Sequence, residues 1–118
     1  VNIKKLTDMA ILVNPQLKTI LEELSREIKK IYQEKLSQII LYGSQARREA
    51  QSDSDLDILI VLKQPFNYSE EIETTSQLIA DLSLKYNILI SRSFIEQQRL
   101  TSEKTPFIRN ICNDGIIL

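Results

Sequence analysis

At 118 residues, with 42% hydrophobic and 26% charged side chains, the chain can build one globular core and not two, so a single domain over 1–118 is expected. Its 15 basic and 16 acidic residues leave a formal charge of −1, which gives no sign of a bulk nucleic-acid partner, and no apolar run approaches the roughly 20 residues that span a bilayer. Histidine is absent and Cys112 stands alone, which excludes Ser-His-Asp and Cys-His catalysis, the usual zinc sites and an internal disulfide.

The start, Val1 to Asp8, has neither a sustained apolar region nor a cleavage signature, so the expected location is cytoplasmic, with no membrane partner. Residues up to Asn14 show no clear period and stay open between irregular chain and a short helix. Asn14-Pro15 is a helix start, because Asn caps well and proline at the first helical position loses no hydrogen bond. Leu17, Ile20, Leu21, Leu24, Ile28, Ile31 and Tyr32 then keep helical spacing and predict a long amphipathic helix. A buried strand, Ile39 to Tyr42, stops at Gly43, and Ser44 to Ala50 holds helix formers enough for a turn or two. After the polar stretch Gln51 to Ser54 comes a second strand, Asp55 to Leu62, ended by Lys63-Gln64-Pro65.

Ser69 is the expected cap of a further helix, with Glu70 and Glu71 at its positive end and Ile72, Ile79, Leu82 and Tyr86 on its buried stripe. Ile88 to Ile90 reads as a third strand and Gln97 to Thr105 as a polar connection. A last helix starts at Thr105-Pro106 and is closed by Gly115 before Ile116-Ile117-Leu118, with Cys112 as a small buried residue on its face.

The chemistry concentrates between Leu41 and Leu59. A strand ends in Gly43-Ser44, ten residues intervene, and Asp55-Leu56-Asp57 opens the next strand. Side chains alternate across a strand, so Asp55 and Asp57 converge on one side while Leu56 takes the other. Two such carboxylates stay ionised together only beside positive charge, and hard oxygen ligands suit Mg²⁺ carried on a nucleotide's phosphates. Gly43, without a Cβ, lets phosphate oxygens approach the backbone, Ser44 adds a hydroxyl donor, and Arg47 can offer a bidentate fork while Arg48 faces outward. Asp53 and Asp55 form a second Asp-x-Asp, but only Asp55 and Asp57 enter the apolar strand directly. Taken singly, Gly-Ser is turn punctuation and an acidic strand start is a solvated edge; their combination points to nucleotidyl transfer.

At these residues the chain resembles the polymerase-β-like nucleotidyltransferase superfamily, and within it the small MNT-type, or minimal, nucleotidyltransferases. The superfamily's Gly-Ser, ten residues, Asp-x-Asp pattern is intact as Gly43-Ser44 and Asp55-Leu56-Asp57, Ala46 and Arg47 match its extended form, and Ser54 matches the frequent serine before the first aspartate. The resemblance runs from about Leu17 to the end, since Arg109 to Ile116 is similar to the family's closing helix and turn. It implies an α/β (α+β) fold, a mixed sheet flanked by helices. The implied site has Asp55 and Asp57 as metal-binding and catalytic residues, Gly43, Ser44, Arg47 and Ser54 on the nucleotide, Mg²⁺ as cofactor and ATP as substrate.

Relatives of this size occur as antitoxins paired with a helical HEPN toxin and can transfer AMP to it, so the resemblance also implies a hetero-oligomer and a protein acceptor. At 118 residues an acceptor domain of the chain's own is not expected. One departure concerns the strand read from Tyr86 to Ser93. Many active members place a third carboxylate there, and this chain has none; Ser91 is the candidate for the vacated place, with Leu89 as the alternative. A catalytically weak or inactive nucleotide-binding antitoxin is therefore the alternative function. Arg48 also replaces the glycine that follows the arginine in the family pattern.

Overall fold

A computed structural model describes the backbone of residues 4–5 and, in full, residues 15–43 and 55–118. The expected cap at Asn14, the helix-forming stretch from Ser44 to Ala50, and the candidate ligands Ser44, Arg47 and Ser54 lie outside the described residues.

Strand β1 is the pair Lys4–Lys5, which shows extended chain where a short helix was one of two expectations. Helix α1, Pro15–Tyr32, starts at the proline as expected. It buries Leu17, Ile20, Leu21, Leu24, Ser25, Ile28 and Tyr32, whereas Ile31, expected on the same stripe, remains 39% exposed. Gln33 turns left-handed (φ 50°) and a 3-10 turn, Gln33–Lys35, leads into β2, Leu36–Tyr42. The strand is longer than the apolar run, because its first half pairs with β3 while staying only half-buried. Strand β3 is Leu56–Leu62.

Helix α2, Tyr68–Tyr86, is capped by Asn67, whose side chain accepts from the Glu70 N–H at 3.1 Å, and not by Ser69, which lies inside the first turn. Its stripe includes Thr75, fully buried, beside Ile79 and Leu82; Ile72 and Tyr86 are partly buried. Asn87 ends the helix in the left-handed conformation (φ 51°), its N–H donating to the Ser83 carbonyl. The next strand, β4, is Ile90–Glu96, so the expected strand Ile88 to Ile90 ends where the observed one begins. Local propensity reads Ile88-Leu89-Ile90 best, but pairing with β3 decides, and the ladder runs from Ile90 to Glu96.

Within the expected polar connection the chain forms a short helix α3, Gln97–Ser102, anchored by the buried Leu100 and held by Arg99 Nε donating to Glu103 Oε1 at 2.7 Å. Helix α4, Pro106–Asp114, begins with Thr105 accepting from the Ile108 N–H and ends at Gly115. Gly115 is required by space and not by a left-handed turn: its φ is −68°, and an added Cβ would stand 2.8 Å from Ile40 Cγ2. Cys112 is half-buried against the smaller of two apolar clusters. Strand β5 is Ile116–Ile117.

The five strands lie in the order β1-β5-β2-β3-β4, with β2 antiparallel to both neighbours, β3 parallel to β4 and β1 parallel to β5. Alternation divides the residues between two faces. Ile39, Leu41, Leu56, Ile58, Ile60, Leu62, Ile90, Phe94 and Ile116 meet α1 and α2; Ile40, Leu59, Val61 and Ile95 meet Leu100, Ile108 and Ile111 from α3 and α4. At roughly 1.5–3 kcal/mol for each fully buried Leu or Ile, the first and larger cluster dominates the hydrophobic stabilisation.

Arg92 pins the edge strand β4 to α2. Its Nε donates to Thr75 Oγ1 at 3.0 Å, and its Nη2 donates to the Ile72 carbonyl at 2.6 Å and to Ser76 Oγ at 3.1 Å. Across the helices, Lys85 Nζ meets Glu23 Oε1 at 2.9 Å and the Tyr86 hydroxyl donates to the same oxygen, tying α2 to α1.

Candidate active site

The two central strands bring the signature together at one end of the sheet. Tyr42, the last residue of β2, pairs with Asp57 near the start of β3, and Gly43 follows directly. Gly43 has φ +76°, a conformation that costs any other residue, and a Cβ built there would overlap Asp57 Oδ2 and stand 3.3 Å from its Cγ. The carboxylate of Asp57 therefore lies against the glycine corner, in the space a side chain would take. That contact joins two points that the sequence separates by more than a dozen positions.

Leu56 between the two aspartates is completely buried on the face covered by α1 and α2. Strand alternation puts Asp57 on the opposite face, half-buried, and leaves Asp55 exposed at the strand's mouth. The Leu56 N–H donates to the Leu89 carbonyl at 2.9 Å, which fixes how far β4 runs beside β3. In that register Ser91 is the partner of Asp57, and Ser93 is the partner of Leu59. Of the two alternatives for the place beside Asp57, the ladder puts Ser91 there and Leu89 one step before the strand. Among the described residues no three Asp, Glu, Cys or His side chains stand together.

The floor of this face comes from a residue that sequence reading passed over. Tyr42 sits on β2, yet its hydroxyl lies 3.2 Å from Ser93 Oγ on β4, so its side chain crosses β3 next to Asp57. Burial raises its pKa, the Ser93 hydrogen bond works the other way, and the charge of Asp57 raises it again. The phenol is thus a neutral hydroxyl at ordinary pH. Phe107 of α4 packs edge-on to the Tyr42 ring, with centroids 5.5 Å apart and planes at 88°. Only the pairing register could have exposed Tyr42 and Ser93 as neighbours, since their separation in sequence carries no local signal.

Of the residues expected in the site, the fold brings Gly43, Asp57 and the strand start at Asp55 to one end of the sheet. Two oxygen-donor side chains on one strand face, beside a corner where backbone replaces side chain, make a donor set suited to a hard divalent cation and a phosphate chain.

A family profile described as "Polymerase beta, Nucleotidyltransferase" matches residues 26–118. A curated relative of Methanocaldococcus jannaschii, named "Putative protein adenylyltransferase MJ0141", is 34% identical over 97 residues, covering 82% of this chain and 93% of the relative. Among solved structures, a toxin-antitoxin crystal structure with AMP-PNP superposes with a TM-score of 0.57 at 18% identity, covering 85% of this chain and 70% of that one. Another, described as "putative minimal nucleotidyltransferase", gives 0.56 at 17% identity over 90% of this chain and 99% of that one. These two likenesses concern the fold; the profile and the curated relative establish descent, and on them the chain belongs to the polymerase β nucleotidyltransferase family.

Proposed function

We propose that this nucleotidyltransferase binds ATP with Mg²⁺ and transfers AMP to a partner protein, as the antitoxin of a HEPN toxin. The observation that carries the reading is the seating of Asp57 against Gly43, which brings the Asp-x-Asp and Gly-Ser halves of the signature into contact. Support for the acceptor's class comes from the curated relative's name, which specifies a protein adenylyltransferase, and from the toxin-antitoxin structure with AMP-PNP.

Asp55 and Asp57 would hold the metal, and a divalent ion there supplies charge neutralisation of the phosphates and polarises the bond to be broken. The chain's own residues do the positioning. Gly43 leaves room for the Asp57 carboxylate at the corner, and the resemblance assigns Ser44, Arg47 and Ser54 to the nucleotide, two hydroxyl groups and a guanidinium fork. Tyr42, kept protonated by burial and by the Asp57 charge, is a donor and supporting wall and takes no proton from an acceptor. The acceptor hydroxyl attacks the α-phosphorus and gives up its proton to solvent at the exposed mouth of the strand, the bond to the bridging oxygen breaks, and pyrophosphate leaves.

The test is labelled ATP, Mg²⁺ and the protein product of the gene adjacent to this one. Label entering that protein, and its loss with Asp57→Asn, supports the reading; no label with the wild-type chain overturns it. A second reading, neutralisation by binding alone, is favoured by one observation: the place beside Asp57 on β4 is filled by Ser91, which is exposed and cannot act as a base. It predicts that toxin neutralisation survives loss of both aspartates.

A further inference from the structure

The face that bears Asp57 also bears an aromatic surface that its packing does not require. Helix α4 is anchored by Ile108 and Ile111, both nearly inaccessible, whereas Phe107 on the same helix stays 45% exposed. A phenyl ring left this open forgoes much of the stabilisation that burial would bring. Its position is nonetheless fixed: the ring meets Tyr42 edge-on at 5.5 Å, and Tyr42 is in turn held by Ser93.

The Tyr42 side chain runs across β3 next to Asp57, so the exposed ring of Phe107 stands on the same face as the carboxylate. A nucleotide whose phosphates lie beside Gly43 and Asp57 has one planar π surface to place, its base. Aromatic side chains bind bases by stacking, and they do so with little dependence on base identity because every base presents a π face.

We propose that Phe107, backed by Tyr42, is the docking surface for the nucleobase and contributes affinity for the nucleoside half of the substrate. This rests on the nucleotidyltransferase reading of the same site. It makes Phe107 a specificity-determining residue for nucleotide over bare polyphosphate, with modest discrimination among bases, because stacking reads a π face that every base presents.

Calorimetric titration of the intact chain with Mg-ATP, Mg-GTP and Mg-tripolyphosphate tests this, with Phe107→Ala and Phe107→Tyr as variants. Phe107→Ala should weaken ATP and GTP each by about tenfold or more while leaving tripolyphosphate unchanged, and Phe107→Tyr should restore both nucleotides. Equal ATP affinity for Phe107→Ala and wild type overturns the proposal, also if the acceptor's KM then rises, which would assign the ring to the acceptor. A parallel fall for ATP and tripolyphosphate overturns it too, since that marks a structural role. If the wild-type chain binds neither nucleotide nor tripolyphosphate, the nucleotidyltransferase reading itself has failed, an outcome distinct from loss of the base contact alone.

Discussion

The two faces of the sheet are built on different terms. Toward α1 and α2, β3 sends Leu56, Ile58, Ile60 and Leu62, each almost fully buried, into a continuous apolar cluster. Toward α3 and α4 the same strand sends Asp57, Leu59 and Val61, and the apolar cluster there gives out at the end where Tyr42, Asp57, Ser91 and Ser93 gather. One face holds the molecule together and thereby permits the other to keep charge, hydroxyls and an exposed ring where packing alone would favour Leu or Val. The strand cannot slide by one residue without exchanging these roles, so the core face also fixes the register of the site.

Substitutions that separate the faces should affect different measurements. The largest effect is expected from Asp57→Asn, which keeps shape and removes charge: adenylyl transfer should fall by about 10²–10³-fold, in line with loss of one group that stabilises transition-state charge. Thermal stability should hold, and a matching collapse in stability would mean that Asp57 belongs to the scaffold. Ile58→Ala, its neighbour on the other face, should show the reverse, a loss of about 2–5 kcal/mol in denaturant unfolding. Activity per folded molecule should be retained at low temperature.

Gly43→Ala should disturb both measurements. The added methyl overlaps Asp57 Oδ2 and the backbone keeps φ +76°, so a loss of about 1–3 kcal/mol in unfolding is expected together with reduced nucleotide affinity. Unchanged ATP binding in a folded Gly43→Ala chain would contradict the close contact on which the site is built.

The smallest effect belongs to the outer edge of the packed face. Glu23 has its pKa lowered first by the Tyr86 hydroxyl and then by the Lys85 ammonium, and it stands half-buried between the two helices. A carboxylate with a depressed folded-state pKa contributes stability above its unfolded value and loses it as pH falls through the folded one. Glu23→Gln should therefore lower the thermal midpoint slightly at neutral pH, and the difference from wild type should shrink on acidification. A difference that grows with acid would reverse the assignment.

Much of the long helices was legible because periodicity and caps are local. Pro15 opens α1 and Thr105-Pro106 opens α4 where those residue types predict a start. Cap choice at α2 was not legible, because Asn67 and Ser69 are both good caps and only the geometry of the preceding turn selects Asn67. Strand β4 was misplaced because Arg92 and two serines dilute its apolar signal; their neighbours in space, Thr75 on α2 and Tyr42 on β2, are what make them acceptable. Helix α3 was missed because its polar sequence hides a single anchor, Leu100.

By itself the sequence determined the Gly-Ser and Asp-x-Asp spacing and the order of the main elements, since these depend on residue type and near neighbours. Tertiary structure alone decided that Asp57 lies against Gly43, that Ser91 stands beside it, and that Tyr42 crosses β3 to Ser93 with Phe107 upon it. Those are contacts between strands, set by pairing register, and register is fixed by the burial of whole faces.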